Sequence, residues 1–155
     1  MDAALSTLIA VAGTLLGAVA THVFQRKADR RAQSFAAQQQ LRAERMAVYS
    51  DFAGAVTEFR RGQQDRWHRR NEDPHGDAAF EARVEAHRLR GLALQALFRV
   101  QLISSSQRIT DAAEHVYELT SDIHEAANRN ELSAKGAEAR QELANFVQLA
   151  ARDVR

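Results

Sequence analysis

The sequence predicts an all-α protein: an N-terminal transmembrane helix followed by an antiparallel four-helix bundle with a long membrane-proximal stalk helix. Three observations carry this expectation. Residues Ala3–Phe24 form one apolar run without Asp, Glu, Lys or Arg. Thirty alanines against one proline (Pro74) and seven glycines favour helix almost everywhere, because Ala loses least on entering a helix and Pro most. Beyond the first run, apolar residues recur at helical spacing, and no region alternates apolar with polar as a half-buried strand would.

The first run sets the location. As a helix its 22 residues would span about 33 Å, against about 30 Å of bilayer hydrocarbon. A cleaved signal peptide fits less well. Ala18-Val19-Ala20 resembles a cleavage site, but Met1-Asp2 offers no basic residue and the run is too long. A core helix would seldom be apolar on every face. Arg26, Lys27, Arg30 and Arg31 follow the run, whereas Asp2 precedes it. The positive-inside rule therefore predicts a single pass through the cytoplasmic membrane with the bulk of the chain in the cytoplasm. Within the run Gly13 and Gly17 form a GxxxG, continued by Ala10 and Thr21. Such small residues let two membrane helices approach closely, so this stripe predicts self-association. The expected partners are thus the lipid bilayer and further copies or other membrane proteins.

The expected organisation is an anchor over 1–25, a basic helical stalk over 26–40 and a bundle over 41–155. The first bundle helix carries Leu41, Val48, Phe52, Ala55 and Phe59 on one side, widened by Tyr49 and Val56, and should weaken near Gly62. Asn71–Asp77, with Pro74 and Gly76, reads as a turn that leaves Asp77 as the next N-cap. A second helix over 78–102 presents Phe80, Val84, Leu92, Leu94, Leu97, Phe98 and Val100 as its apolar surface. That surface is broad after Leu89, which suggests a central place in the bundle. Ser104-x-x-Gln107 has capping-box spacing. The third helix, 107–127, sends Ile109, Ala113, Val116, Thr120 and Ile123 inward and Asp111, Glu114, Glu118, Asp122 and Glu125 outward. After a break at Asn128–Asn130, the fourth helix aligns Leu132, Ala139, Leu143, Phe146, Ala150 and Val154.

Catalytic chemistry finds little support. With no cysteine there is no thiolate nucleophile or disulfide framework. Asp111, His115 and Glu118 stand on successive turns, with His124-Glu125 beyond, but paired Glu-x-x-His motifs and His-Glu-x-x-His are absent. No phosphate-cradling glycine loop or nucleophile elbow occurs. The expectation is a non-enzymatic protein without cofactor, metal or small-molecule substrate. The net charge of +1 hides a gradient: residues 26–70 hold eleven basic and five acidic side chains, and residues 108–155 hold six and nine. The densest basic segment is Arg60, Arg61, Arg66, Trp67, Arg69 and Arg70. Arginines there could pair with phosphates while Trp67 stacks on a base or anchors a protein contact. The bland alternative is an exposed helix end with Trp67 folded onto the bundle. Nucleic acid ranks below protein as the partner, because a polyanion-binding domain is usually more basic overall.

Two segments carry a resemblance: Leu8–Gln25 (LIAVAGTLLGAVATHVFQ) and Leu41–Ala53 (LRAERMAVYSDFA), joined by an Arg/Ala-rich stalk. They resemble KilB-like proteins of Streptomyces plasmids and their chromosomal relatives, mainly over residues 8–61. The resemblance implies a membrane-associated protein of plasmid transfer and intermycelial spread, and brings no catalytic residue with it. The expected function is a membrane-anchored scaffold or interaction protein. The alternatives are a membrane-tethered DNA-contacting factor using Arg60–Arg70 and, third, a spanin-like lysis protein.

Overall fold

A computed structural model describes the backbone of residues 2–155 and the side chains of residues 32–155. It contains four α-helices: α1 (Asp2–Glu72), α2 (Asp77–Ile103), α3 (Gln107–Ser121) and α4 (Arg129–Asp153), with a 3-10 turn at Asp122–Glu125. Two compact units divide the chain, Met1–Leu41 and Arg42–Arg155. In the first, the described side chains, Phe35 and Leu41 included, are exposed. The membrane span expected over 3–24 lies outside the residues with described side chains. So do its contact stripe (Ala10, Gly13, Gly17, Thr21) and basic flank (Arg26, Lys27, Arg30, Arg31). Among the described residues no helix is long and apolar enough to cross a membrane.

The second unit is a four-helix bundle. Helices α1 and α2, α2 and α3, and α1 and α4 run antiparallel: Asp51 of α1 meets Arg99 of α2, Arg90 of α2 meets Tyr117 of α3, and Tyr49 of α1 meets Asp153 near the end of α4. The main core gathers Tyr49, Phe52, Val56 and Phe59 from α1 with Val100 of α2, Val116 of α3 and Phe146 of α4. Phe52 and Phe146 pack edge to face at 4.9 Å between centroids, and Tyr49 meets Phe146 the same way at 6.0 Å. These arrangements place the positive ring edge on the negative face of its neighbour. A second cluster joins Trp67 to Ile123, Ala126, Leu132 and Ala139.

Helix α3 and the 3-10 turn after it follow the expected facing, with Ile109, Ala113, Val116, Thr120 and Ile123 buried and Asp111, Glu114, Glu118, Asp122 and Glu125 exposed. Other elements differ for identifiable reasons. Helix α1 does not weaken at Gly62 but runs on to Glu72. A Cβ at Gly62 would meet Leu89 Cδ1 at 2.6 Å and Ala86 Cα at 3.7 Å, so α1 and α2 approach closely there. Tertiary packing of this kind overrides the roughly 1 kcal/mol helix penalty of glycine. Leu41 is exposed, so the core face of α1 begins at Val48.

Helix α2 departs most. Its buried residues are Ala82, Ala86, Ala93, Ala96, Leu97 and Val100, whereas Phe80, Val84, Leu92 and Phe98 are exposed. Leu97 and Val100 are buried as expected and Leu94 is half-buried, but the remaining core-facing positions are alanines. Around Ala86, close approach to Gly62 of α1 leaves little room for a larger side chain.

The ends differ too. The N-cap of α2 is Gly76, with Asp77 as the first helical residue. Ser104 does not form the expected capping box: its Oγ accepts the Ser106 N–H, and Ser106 is the N-cap of α3. The third helix stops at Ser121 and tightens into the 3-10 turn. Asn128 caps α4, its Oδ1 accepting the Glu131 N–H at 3.0 Å while Glu131 Oε2 accepts the Ala127 N–H at 2.9 Å. This reciprocal arrangement satisfies donors that a helix start otherwise leaves open.

Candidate functional site

The C-terminal end of α1 concentrates the arginines singled out in the sequence, and the fold sorts them into distinct environments. Arg61 pairs with Glu58 at 2.8 Å, and Arg69 pairs with Asp65 and Glu72 on its own helix. These exposed pairs at helical spacing neutralise one flank and add only about 0.3–0.5 kcal/mol each. Arg60 reaches Gln64 and lies near Arg61 and Arg140; burial and those two charges lower its pKa.

Trp67 takes no part in an exposed patch. It is 6% exposed, and its Nε1–H donates to the Ala126 carbonyl at 2.6 Å. Its ring therefore belongs to the second core cluster and offers no face for stacking on a base. One turn earlier the buried Gln63 donates through Nε2 to the Ser121 carbonyl at 2.6 Å. Together these side chains bind carbonyls at the end of α3 and just after the 3-10 turn, tying α1 to that connection.

Arg66 and Arg70 turn the other way and meet Arg83 of α2. With Pro74, His75, Gly76, Ala79 and Phe80 they line a cavity of about 380 Å³. Arg66 is half-buried, and its pKa is lowered first by burial and then by the charges of Arg70, Arg83 and Arg90. Glu125 is the one carboxylate that opposes them. An arginine does not lose its proton under such pressure; the shift reports how much positive charge has been gathered. Among the described residues Arg66, Arg70 and Arg83 form no ion pair, although Arg83 lies 5.3 Å over the Phe80 ring. The result is a half-enclosed cationic pocket with an aromatic wall. Arg83 was invisible as a partner in sequence, since only the Asn71–Asp77 turn brings it back to Arg66.

His124 feels the charges of Arg66 and Arg70. Its Nδ1–H donates to the Ser121 carbonyl at 2.8 Å. Burial holds the ring below its ordinary value of 6.5, Arg66 and Arg70 push the same way, and Ser121 and Glu125 oppose them. The unfolded chain therefore takes up a proton near pH 6.5 that the native ring resists. Stability contributed by neutral His124 is present above this window and is lost as pH falls through it. His124→Gln does not titrate, so its urea-unfolding deficit relative to wild type should shrink between about pH 8 and pH 5. A constant deficit would refute this role. Asp111, His115 and Glu118 are exposed, and among the described residues no three such side chains gather as a metal site.

A third feature is the outer face of α2. Phe80 (59% exposed), Phe98 (51%) and Leu102 (87%) share it with Val84, while the opposite face of the helix is buried. Two exposed apolar pairs, Phe80/Val84 and Phe98/Leu102, thus flank His87, Gly91 and Gln95 on that face.

A family model described as KilB plasmid transfer protein matches residues 46–154. The match covers most of the chain and every core residue of the bundle, from Val48 to Ala150, whereas the resemblance in the sequence lies mainly over residues 8–61. No curated protein and no solved structure matches the chain.

Proposed function

The chain belongs to the KilB plasmid transfer protein family, and from that premise we propose that it is a membrane-anchored, non-enzymatic interaction module of plasmid transfer and intermycelial spread. The apolar run Ala3–Phe24 and its basic flank support a single-pass anchor that leaves the bundle in the cytoplasm. One observation carries the interaction role. Helix α2 buries its alanines and exposes Phe80, Val84, Phe98 and Leu102, an inversion that favours association over the stability of the isolated bundle.

Phe98→Asp with Leu102→Asp tests this reading. Both side chains are exposed, so helicity and unfolding midpoint should hold. Plasmid spread should fall about tenfold or more, as expected when central interface residues are lost. Wild-type spread with both substitutions in place would overturn the reading. A reporter fused to the C-terminus should be active only on the cytoplasmic side; activity outside would overturn the topology and favour a spanin-like arrangement.

The arginine pocket favours a second reading, contact with a phosphate-bearing partner such as DNA. Arg66, Arg70 and Arg83 without ion pairs around one cavity resemble a site awaiting an anion, since arginine matches phosphate in a planar, bidentate way. Filter binding at low and high salt should show DNA affinity that falls steeply with salt. Arg66→Gln with Arg83→Gln should flatten the log–log slope by about one unit per lost phosphate contact. Salt-independent or absent binding removes this reading.

A further inference from the structure

We propose that two copies of the chain pair antiparallel through the outer faces of their α2 helices, about a two-fold axis at Gly91. This rests on the reading of α2 as a docking face and names its occupant as a second copy of the same chain.

The argument begins with register. The outer face runs Phe80, Val84, His87, Gly91, Gln95, Phe98, Leu102, and all seven residues are exposed. Successive steps of four, three, four, four, three and four residues keep them on one side of a helix. The series reads the same in both directions: two apolar residues, one polar residue, glycine, one polar residue, two apolar residues. A two-fold axis at Gly91 therefore sets Phe80 against Leu102 of the second copy, Val84 against its Phe98, and His87 against its Gln95. Each large side chain meets a smaller one in the outer layers, and the central polar residues can hydrogen-bond. A parallel pair would instead stack Phe on Phe beside Val on Val, forcing uneven separation between the helix axes.

Gly91 supports the crossing point. Nothing lies within 4 Å of a Cβ built there, so the backbone faces open space and a second helix can approach it closely. Because interaxial distance follows the side chains at the contact, glycine at the centre lets the apolar layers on both sides close. Charge agrees with this register. Glu81 and Arg99 lie on the same flank of α2, and antiparallel packing brings like flanks together. Glu81 then lies beside Arg99 of the second copy, offset by about 3 Å along the axis at 1.5 Å per residue. Arg99 already holds Asp51 at 2.9 Å, and a second carboxylate extends that pair across the interface. The contact is about 33 Å long and buries on the order of 1,000 Å², the low end for a specific interface.

The absence of native cysteine makes the register directly testable in the full chain in membranes. Gly91→Cys sits on the axis and should give a covalent dimer on mild oxidation, while Glu138→Cys, exposed on α4, should not. Phe80→Cys mixed with differently tagged Leu102→Cys should give mixed-tag dimers as the major product. Same-tag dimers as the major product would show parallel pairing and overturn the proposal. Phe98→Asp added to Gly91→Cys should abolish the crosslink while far-UV circular dichroism stays unchanged. No crosslink at Gly91, or one that survives Phe98→Asp, overturns it as well. Failure here is separable from failure of the docking reading. Lost spread in Phe98→Asp/Leu102→Asp without a Gly91→Cys crosslink rejects the second copy as occupant. Normal spread with the crosslink intact supports the dimer and rejects the docking role in transfer.

Discussion

Trp67→Ala lowers the unfolding free energy by about 3–5 kcal/mol, read as a shift in the urea midpoint by far-UV circular dichroism. The substitution removes the largest side chain of the second core cluster, where Trp67 packs with Ile123, Ala126, Leu132 and Ala139. It also strands the Ala126 carbonyl, which accepts the indole N–H at 2.6 Å. Trp67→Phe separates the two effects. The ring still fills most of the volume, so the loss should be about 1–3 kcal/mol, the range for a buried group deprived of its partner. Equal losses in the two variants would show that packing contributes little, and a loss below about 1 kcal/mol in Trp67→Ala would contradict its burial. The arginine pocket should suffer in parallel. Arg66 and Arg70 flank Trp67, so any anion affinity they supply depends on this anchor.

The contrast between α3 and α2 shows what a sequence discloses. In α3 one face carries Ile109, Val116 and Ile123 and the other carries carboxylates, so size, polarity and period agree. In α2 the same period supports two stripes on opposite sides, Ala82/Ala86/Ala93/Leu97/Val100 and Phe80/Val84/Phe98/Leu102. Hydropathy draws large residues from both, Leu97 and Val100 from the first and Phe80, Val84 and Phe98 from the second, but distance to α1 decides, and distance is a tertiary quantity. Gly62 was a clue, since a glycine that persists inside a helix often marks a close approach. In place of the expected weakening, Gly62 marks such an approach, to Ala86 and Leu89.

The arginine segment was half legible for a similar reason. Glu58, Asp65 and Glu72 lie three or four residues from Arg61 and Arg69, so the neutralised flank was present in the spacing. The pocket was not. Arg83 is 17 residues beyond Arg66, and only the turn at Pro74 and Gly76 makes them neighbours. The burial of Trp67 goes with its bond to the Ala126 carbonyl, a partner 59 residues away that spacing along α1 does not disclose.

Phe146→Ala should cost about 3–5 kcal/mol, whereas Phe98→Ala should change the stability of the isolated bundle by no more than about 0.5 kcal/mol. The residue types are identical and the environments opposite. Phe146 is fully buried and is met edge-on by both Tyr49 and Phe52. Its loss opens a cavity at the junction of α1 and α4, and each aromatic pair is worth about 0.5–1.5 kcal/mol beyond its area. A double cycle with Phe52→Ala should therefore be non-additive, the second substitution costing less once its ring partner is gone. Strict additivity would mean that the rings do not interact. Phe98 is half-exposed on the outer face of α2, so truncation there removes little packing within the bundle. If the two variants cost the same, α2 has been assigned the wrong inner face and the docking surface falls with it. If they separate as expected, Phe98 packs little within the bundle and its side chain is available to a contact outside it. Its effect then belongs in assays of association and plasmid spread, not in unfolding curves.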